Sequence, residues 1–227
     1  VALAHDILTT GRYDRCFHTQ YSHAPERGNM DENAGEGGMF VRAEVPEEEG
    51  CFDTQSKLWW DRNSNKPVVC RTKGADPRLL GEFKLSDGTP VKPAFQLLLD
   101  RVDQYTPEWA ADITSIPAET IKRLAHEMGI VARDEKIELP IAWTDVWDQE
   151  HESVTGNPVS FHAMRGLAAH SNGFQTIRAL SILLSILGTI DRPVGVRHKA
   201  PIPPPIPPSP TTGPGLDAVP PTHPPHR

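Results

Sequence analysis

The chain has 227 residues, with 23 Lys and Arg against 30 Asp and Glu, for a formal net charge of -7. That balance argues against a nucleic-acid partner, since such modules carry net positive charge to neutralise phosphates. Twelve of the 23 prolines fall in residues 201–227, so the first 200 residues have an ordinary globular composition. The longest apolar run, residues 179–187, is broken by Ser181 and Ser185 and falls far short of the roughly 20 residues that cross a bilayer. No transmembrane segment is expected in this chain.

The first residue is Val1, with no charged segment ahead of an apolar core, so no signal peptide is read. Val1-Ala2-Leu3-Ala4-His5-Asp6-Ile7-Leu8 reads as the latter half of an amphipathic helix, the expectation for a chain cut from something longer. After Gly11, the stretch Tyr13-Asp14-Arg15-Cys16-Phe17 predicts a second short helix. Cys16, Cys51 and Cys70 are widely spaced and form no Cys-x-x-Cys, which predicts scattered thiols in a reducing compartment and no zinc or iron–sulfur site here.

Residues 23–93 are rich in Asn, Gly, Asp and Ser, with the acidic Glu47-Glu48-Glu49-Gly50 among them, and predict a loop-rich insertion with little regular structure. The adjacent Trp59 and Trp60 could line a ligand cleft, but the favoured reading is packing, one plugging a loop onto the core and the other half-covering it. Helical signals follow. Phe95, Leu98, Leu99 and Val102 form one apolar stripe, and Thr106-Pro107-Glu108 is a helix start. Pro117 opens a further helix with Ile121, Leu124, Ala125 and Met128 on one face, and Gly129 stands where a left-handed C-cap would end it.

Ile137, Leu139, Ile141 and Trp143 alternate as in a strand. Residues 148–156 read as a polar excursion and residues 158–164 as a second strand. Residues 174–187 are apolar nearly all round and predict a wholly buried helix. The order implies an α/β fold class, with residues 1–200 as one partial α/β domain. The prolines of residues 201–227 predict polyproline II passing into a disordered tail.

No Gly-x-Gly-x-x-Gly, P-loop, Gly-x-Ser-x-Gly or His-Glu-x-x-His motif is present, and the ten histidines share no ligand spacing, so no metal is expected on this chain's own side chains. One segment offers chemistry: Met164-Arg165-Gly166-Leu167-Ala168-Ala169-His170-Ser171-Asn172-Gly173. It lies between a predicted strand and a predicted buried helix, where α/β sheets present loops to ligands. Gly166 and Gly173 permit close approach, while Arg165, His170 and Asn172 supply a charge, a ring and an amide. An ordinary loop with an Asn172-Gly173 turn accounts for the same residues equally well.

At this loop the sequence resembles a known family. His170-Ser171-Asn172-Gly173, Arg178-Ala179-Leu180 and Leu187-Gly188-Thr189-Ile190-Asp191-Arg192-Pro193 resemble a recurring stretch of molybdopterin oxidoreductase catalytic subunits, the dimethyl sulfoxide reductase superfamily. Ala4-His5-Asp6-Ile7-Leu8 with Gly11-Arg12-Tyr13-Asp14-Arg15, and Tyr105-Thr106-Pro107-Glu108-Trp109-Ala110-Ala111 with Ile116-Pro117-Ala118-Glu119-Thr120-Ile121, resemble further elements in the same order. Leu58-Trp59-Trp60-Asp61-Arg62 and Glu138-Leu139-Pro140-Ile141-Ala142-Trp143 are most similar to the branch handling sulfur oxyanions, such as sulfite dehydrogenase and thiosulfate or polysulfide reductase.

The resemblance implies a partial chain from an α/β domain that binds part of a molybdenum bis(molybdopterin guanine dinucleotide) cofactor. Gly166, His170, Asn172 and Gly173 would line the pterin side, and Arg197, His198 and Lys199 would be cations on the side of a small anionic substrate. The resemblance implies a [4Fe–4S] cluster in the full-length subunit but outside this chain. It also implies an iron–sulfur electron-transfer subunit, a membrane-anchor subunit, and a cytoplasmic or periplasmic location with membrane association through those partners. The fragment alone is expected to be inactive. The family has Gly-Gly after Pro193 where this chain has Val194-Gly195, so a differently bent loop is expected there. A reading from another class is a non-catalytic α/β interaction protein whose Pro-rich tail binds a partner.

Overall fold

Ala4, Ile7 and Leu8 recur on one face of the first helix. In the computed structural model, which describes residues 1–31, 33, 37–44, 55–144, 150–163 and 165–196, that face is the centre of the core. Helix α1 (Ala2–Thr9) buries Ala2, Ala4, Ile7 and Leu8. Around it lie Phe95 and Val102 of α3 (Ala94–Val102), Ala125 and Ala132 of α5 (Ala118–Asp134), and Leu183, Ile186 and Leu187 of α6 (Gly173–Leu187). Small residues on α1 and α5 let those helices approach closely, while Ile7 and Leu8 each contribute about 2 kcal/mol through burial. Helix α2 (Arg15–Tyr21) follows the Gly11 turn, and α4 (Pro107–Thr114) is capped by Thr106, whose side chain accepts from Trp109 N–H at 3.1 Å.

The insertion is more regular than its composition predicts. Strands β1 (Arg27–Asn29), β5 (Phe83–Lys84) and β6 (Pro90–Pro93) form one antiparallel sheet, ordered β1-β6-β5. Strands β2 (Arg42–Glu44), β3 (Gln55–Trp60) and β4 (Pro67–Val69) form another, ordered β2-β3-β4. Turn residues set where these strands stop rather than whether they form: Asp61 closes the β3–β4 connection by accepting from Ser64 N–H, and ties down the segment after β4 by accepting from Asp76 N–H, both at 2.8 Å. Trp59 and Trp60 lie on a strand, not a loop. Trp60 is buried and stacks on Phe83 at 4.5 Å, and Trp59 is half-buried.

Three further expectations are corrected. Gly129 does not end α5, which runs on to Asp134. A Cβ at Gly129 would come within 2.7 Å of Arg12 Cβ, so its glycine lets the α1–α2 turn lie on the helix. The alternation from Ile137 to Trp143 is split at Pro140 into β7 (Ile137–Leu139) and β8 (Trp143–Thr144). Their partners come from the expected polar excursion: β10 (Val154–Gly156) pairs with β7, and β9 (Glu150–His151) pairs with β8. Residues 158–163 form no strand; the residues that pair with β7 are 154–156. All paired strands are antiparallel, and helices with small sheets are consistent with an α/β class. Among the described residues no helix is long and apolar enough to cross a membrane.

The ends of α2, α5 and α6 meet at one amide. Asn157 is fully buried, and its NH2 group faces Asp14 Oδ2 (3.1 Å), Ala132 O (2.8 Å) and Leu187 O (3.3 Å). Its Oδ1 accepts from Arg192 at 3.3 Å. Burial alone would raise the Asp14 carboxyl, but the Lys136 ammonium at 2.8 Å, the Phe17 N–H and the Asn157 amide hold it below the usual carboxylate value. Nearby His18 is buried with Nε2 3.2 Å from Ile186 O, and desolvation pushes it down to about 4, against the opposing effects of Ile186 O and Asp14.

Gly188 caps α6 in the left-handed conformation, and the turn that follows is closed by Val196 N–H donating to Thr189 O and Asp191 N–H donating to Val196 O. Val194 has φ 63°, a conformation costly for a β-branched residue. The turn therefore has a glycine-type backbone at a β-branched residue.

Three outcomes follow in unfolding experiments. Asn157→Ala removes four contacts and leaves buried acceptors unpaired, so it is expected to lower stability by about 2–4 kcal/mol in urea titration. His18 is neutral when folded and its folded-state value lies below the unfolded 6.5. The unfolded chain therefore binds more protons between pH 6.5 and about 4, and stability falls as pH drops through that window, by about 3 kcal/mol in total. His18→Gln should flatten that part of the profile; an unchanged slope would assign it to other groups. Val194→Gly is expected to raise stability by up to about 1 kcal/mol, since the side chain is exposed and its backbone strained. A drop would mean that the side chain, not the turn, matters there.

Candidate functional site

The loop before α6 is the segment whose residue types offer ligand chemistry, and its backbone is well tied. Residues Arg165–Leu167 form a 3-10 turn, Ala168 and Ala169 N–H both donate to Arg165 O (3.0 and 2.9 Å), and Gly173 N–H donates to His170 O at 2.9 Å. Gly173 is buried, and a Cβ there would fall 1.8 Å from Ala168 O, so only glycine lets the loop fold back on the helix start. Gly166 is different: its Cβ position is open, its φ is not left-handed, and the fold itself does not require glycine.

Gly166, His170 and Asn172 are exposed. Asn172 stands at the N-cap of α6 but its side chain makes no cap hydrogen bond, and the His170 ring makes none among the described residues. The structure thus brings Gly166, His170, Asn172 and Gly173 onto one short loop. Beside them Leu167, Phe174, Arg165 and Arg178 are also exposed, with Phe174 77% accessible. An apolar patch next to free donors, two guanidinium groups and the amide end of a helix suits a flat polar ring bearing an anionic arm. The loop is one open wall.

Helix α6 corrects the expectation of all-round burial. Leu183, Leu184, Ile186 and Leu187 are buried, whereas Phe174, Gln175 and Arg178 in the first turns are exposed. The loop is therefore held out from the core by a helix whose other end is clamped inside it. Arg197, His198 and Lys199 lie outside the described residues, as do Cys51, Met164 and the Pro-rich segment 201–227. Among the described residues no group of three or more His, Cys, Asp or Glu side chains is placed to hold a metal ion.

A cleft that motif reading did not single out lies elsewhere. About 580 Å³ in volume, it is lined by Cys16, Tyr21, Lys136, Trp143, His151 and Arg192, among others. Trp143 stacks on His151 at 4.6 Å, and Trp143 Nε1 donates to Ser153 O at 3.0 Å. The Arg192 guanidinium lies over the Phe17 and Tyr21 rings at 5.4 and 5.3 Å. Trp143 and His151 are eight positions apart with no Gly, Asn or Pro between them, so nothing in the sequence marks the β8–β9 pairing that joins them.

Comparison with known proteins extends this picture. No family model matches the chain. It is 62% identical over 224 residues to the A subunit of the sulfite dehydrogenase of Allochromatium vinosum, an alignment that covers 99% of this chain and 23% of that protein. Over 85 residues, 37% of this chain and 7% of the other, it is 35% identical to the probable dimethyl sulfoxide reductase chain YnfF of Escherichia coli. The chain thus spans about a quarter of the length of the first relative and a much smaller share of the second, and it is similar to both in the region that each shares with it.

Proposed function

We propose that this chain is part of the catalytic subunit of a molybdopterin-dependent oxidoreductase, and that it supplies one wall of the site for a molybdenum bis(molybdopterin guanine dinucleotide) cofactor. The observation that carries the reading is the 62% identity to the sulfite dehydrogenase relative along nearly the whole of this chain. The exposed loop at 165–173, its unpaired His170 and Asn172 and its close-packed Gly173 support it from the side of geometry.

When bound, the cofactor would supply the oxygen-atom and two-electron chemistry, and the protein placement and electrostatics. In this reading Asn172 presents an amide that donates and accepts along the edge of the pterin, and His170 offers a ring nitrogen beside it. The first-turn N–H groups of α6 face any negative charge on the cofactor's arm. Arg197, His198 and Lys199, which follow the 188–196 turn, are proposed as cations facing a small sulfur oxyanion. The name of the first relative marks it as one lettered subunit of its enzyme, which supports an assembly with further subunits. Their proposed nature is an iron–sulfur electron carrier and a membrane anchor, which would place the enzyme at a membrane on its cytoplasmic or periplasmic side. The [4Fe–4S] cluster belongs in this reading to other parts of the full-length polypeptide.

The test uses the full-length protein that contains this chain. Asn172→Ala should leave the unfolding temperature of cofactor-free protein unchanged, since exposed substitutions usually stay within about 0.5 kcal/mol. Molybdenum per folded protein should fall, because losing a hydrogen bond to a bound polar cofactor costs roughly 1–3 kcal/mol, up to about a hundredfold in affinity. Full molybdenum occupancy in the variant would reduce the loop to a turn. Absence of molybdenum and pterin from the unaltered protein would remove the family reading itself.

A further inference from the structure

A fully buried arginine lies well away in sequence from the loop at 165–173. Arg27 opens β1 and has no accessible surface. Its backbone is paired opposite Pro93 and accepts from Val41 N–H at 2.8 Å, so the position of its Cα is set by the sheet. The guanidinium lies 4.5 Å from the centre of the Phe83 ring and 6.0 Å from that of Trp60, the two rings being stacked on each other. Nη2 makes a long contact of 3.4 Å to Arg78 O, while Nε and Nη1 have no partner. Arg78 is held alongside, its N–H donating to Trp60 O at 2.8 Å, and its own buried Nε is unpartnered as well. Among the described residues no carboxylate pairs with either arginine.

A buried cation without a counter-charge is costly, and aromatic faces offset only part of that cost. Desolvation, aided by the charge of Arg78, pushes Arg27 down to about 9, the direction expected of an unneutralised pair. Three unpartnered nitrogens, all donors and all on cations, complement a species that carries only lone pairs and negative charge. We propose that Arg27 and Arg78 form a buried binding site for one small inorganic oxyanion, of sulfate or phosphate size and acceptor chemistry, backed by the stacked Trp60 and Phe83. Arg78, only half-buried, is the side from which the anion enters. The site stands on these contacts and is independent of the cofactor reading.

Equilibrium dialysis of the purified 227-residue chain against radiolabelled sulfate, at constant ionic strength, tests it. The expected result is one saturable sulfate per chain, displaced by phosphate, with a saturable rise of a few degrees in unfolding temperature. Arg27→Met and Arg78→Met are each expected to weaken binding by about tenfold or more. Should Arg27→Met fail to fold, Arg78→Met and the charge-preserving Arg27→Lys, which loses the fork of donors, give the same reading. A folded unaltered chain with no saturable binding of sulfate or phosphate overturns the proposal, as does binding that both methionine variants retain in full. Loss of molybdenum in the full-length protein would not affect this outcome, so the two readings fail separately.

Discussion

Three helix ends, each with backbone carbonyls or a capping carboxylate to satisfy, converge within reach of a single side-chain amide. Had that position held an apolar residue, Ala132 O, Leu187 O and the Asp14 carboxylate would face one another across a dry gap, and three acceptors repel. Asn157 turns the repulsion into attraction with one NH2 group, and its carbonyl oxygen at the same time takes the Arg192 guanidinium. The order of α2, α5, α6 and the 188–196 turn around the core depends on this contact in a way that the apolar contacts do not, because hydrophobic burial is non-directional whereas the amide accepts one arrangement. Lys136 and Phe17 N–H complete the neutralisation of Asp14, so the hub is satisfied and rigid.

The helices were legible because their signals are local. Thr106-Pro107, the 95–102 stripe and the 121–128 stripe each lie within two turns, and α3, α4 and α5 stand where those residues place them. Gly129 shows where local reading ended: a glycine near a helix end suggests a cap, but this one makes room for Arg12, from a segment over a hundred residues away. The strands were less legible for the same reason. Glu150–His151 and Val154–Gly156 carry almost no strand pattern in themselves, and it is their antiparallel partners that make them strands. Asn157 falls between the predicted polar excursion and the predicted strand that follows it, and one buried asparagine looks like any other until its neighbours are known.

The loop at 165–173 was found by residue type and placed by the resemblance, and the structure adds a division of labour within it. Gly173 is needed by the fold, Gly166 is not, and the side chains of His170 and Asn172 make no hydrogen bond among the described residues. The predicted strand ahead of the loop is absent, so what positions it is the helix behind it. Its neighbours Phe174, the most exposed large apolar side chain among the described residues, and Leu167 also lie exposed beside it.

Helix α6 works as a cantilever. Its 15 residues span about 22 Å, with the last turn and a half anchored by Leu183, Leu184, Ile186 and Leu187, while Phe174, Gln175 and Arg178 near the other end are exposed. A beam fixed at one end magnifies small errors at its root: a tilt of about 5° at the anchored turns carries the tip through about 2 Å, enough to spoil a hydrogen bond at the loop. Trimming Ile186 or shifting the His18 contact to its carbonyl would therefore be felt far from where the change was made. A screen confined to residues near the loop would miss such positions, and a defect in ligand retention that maps to the core need not mean that the protein has unfolded.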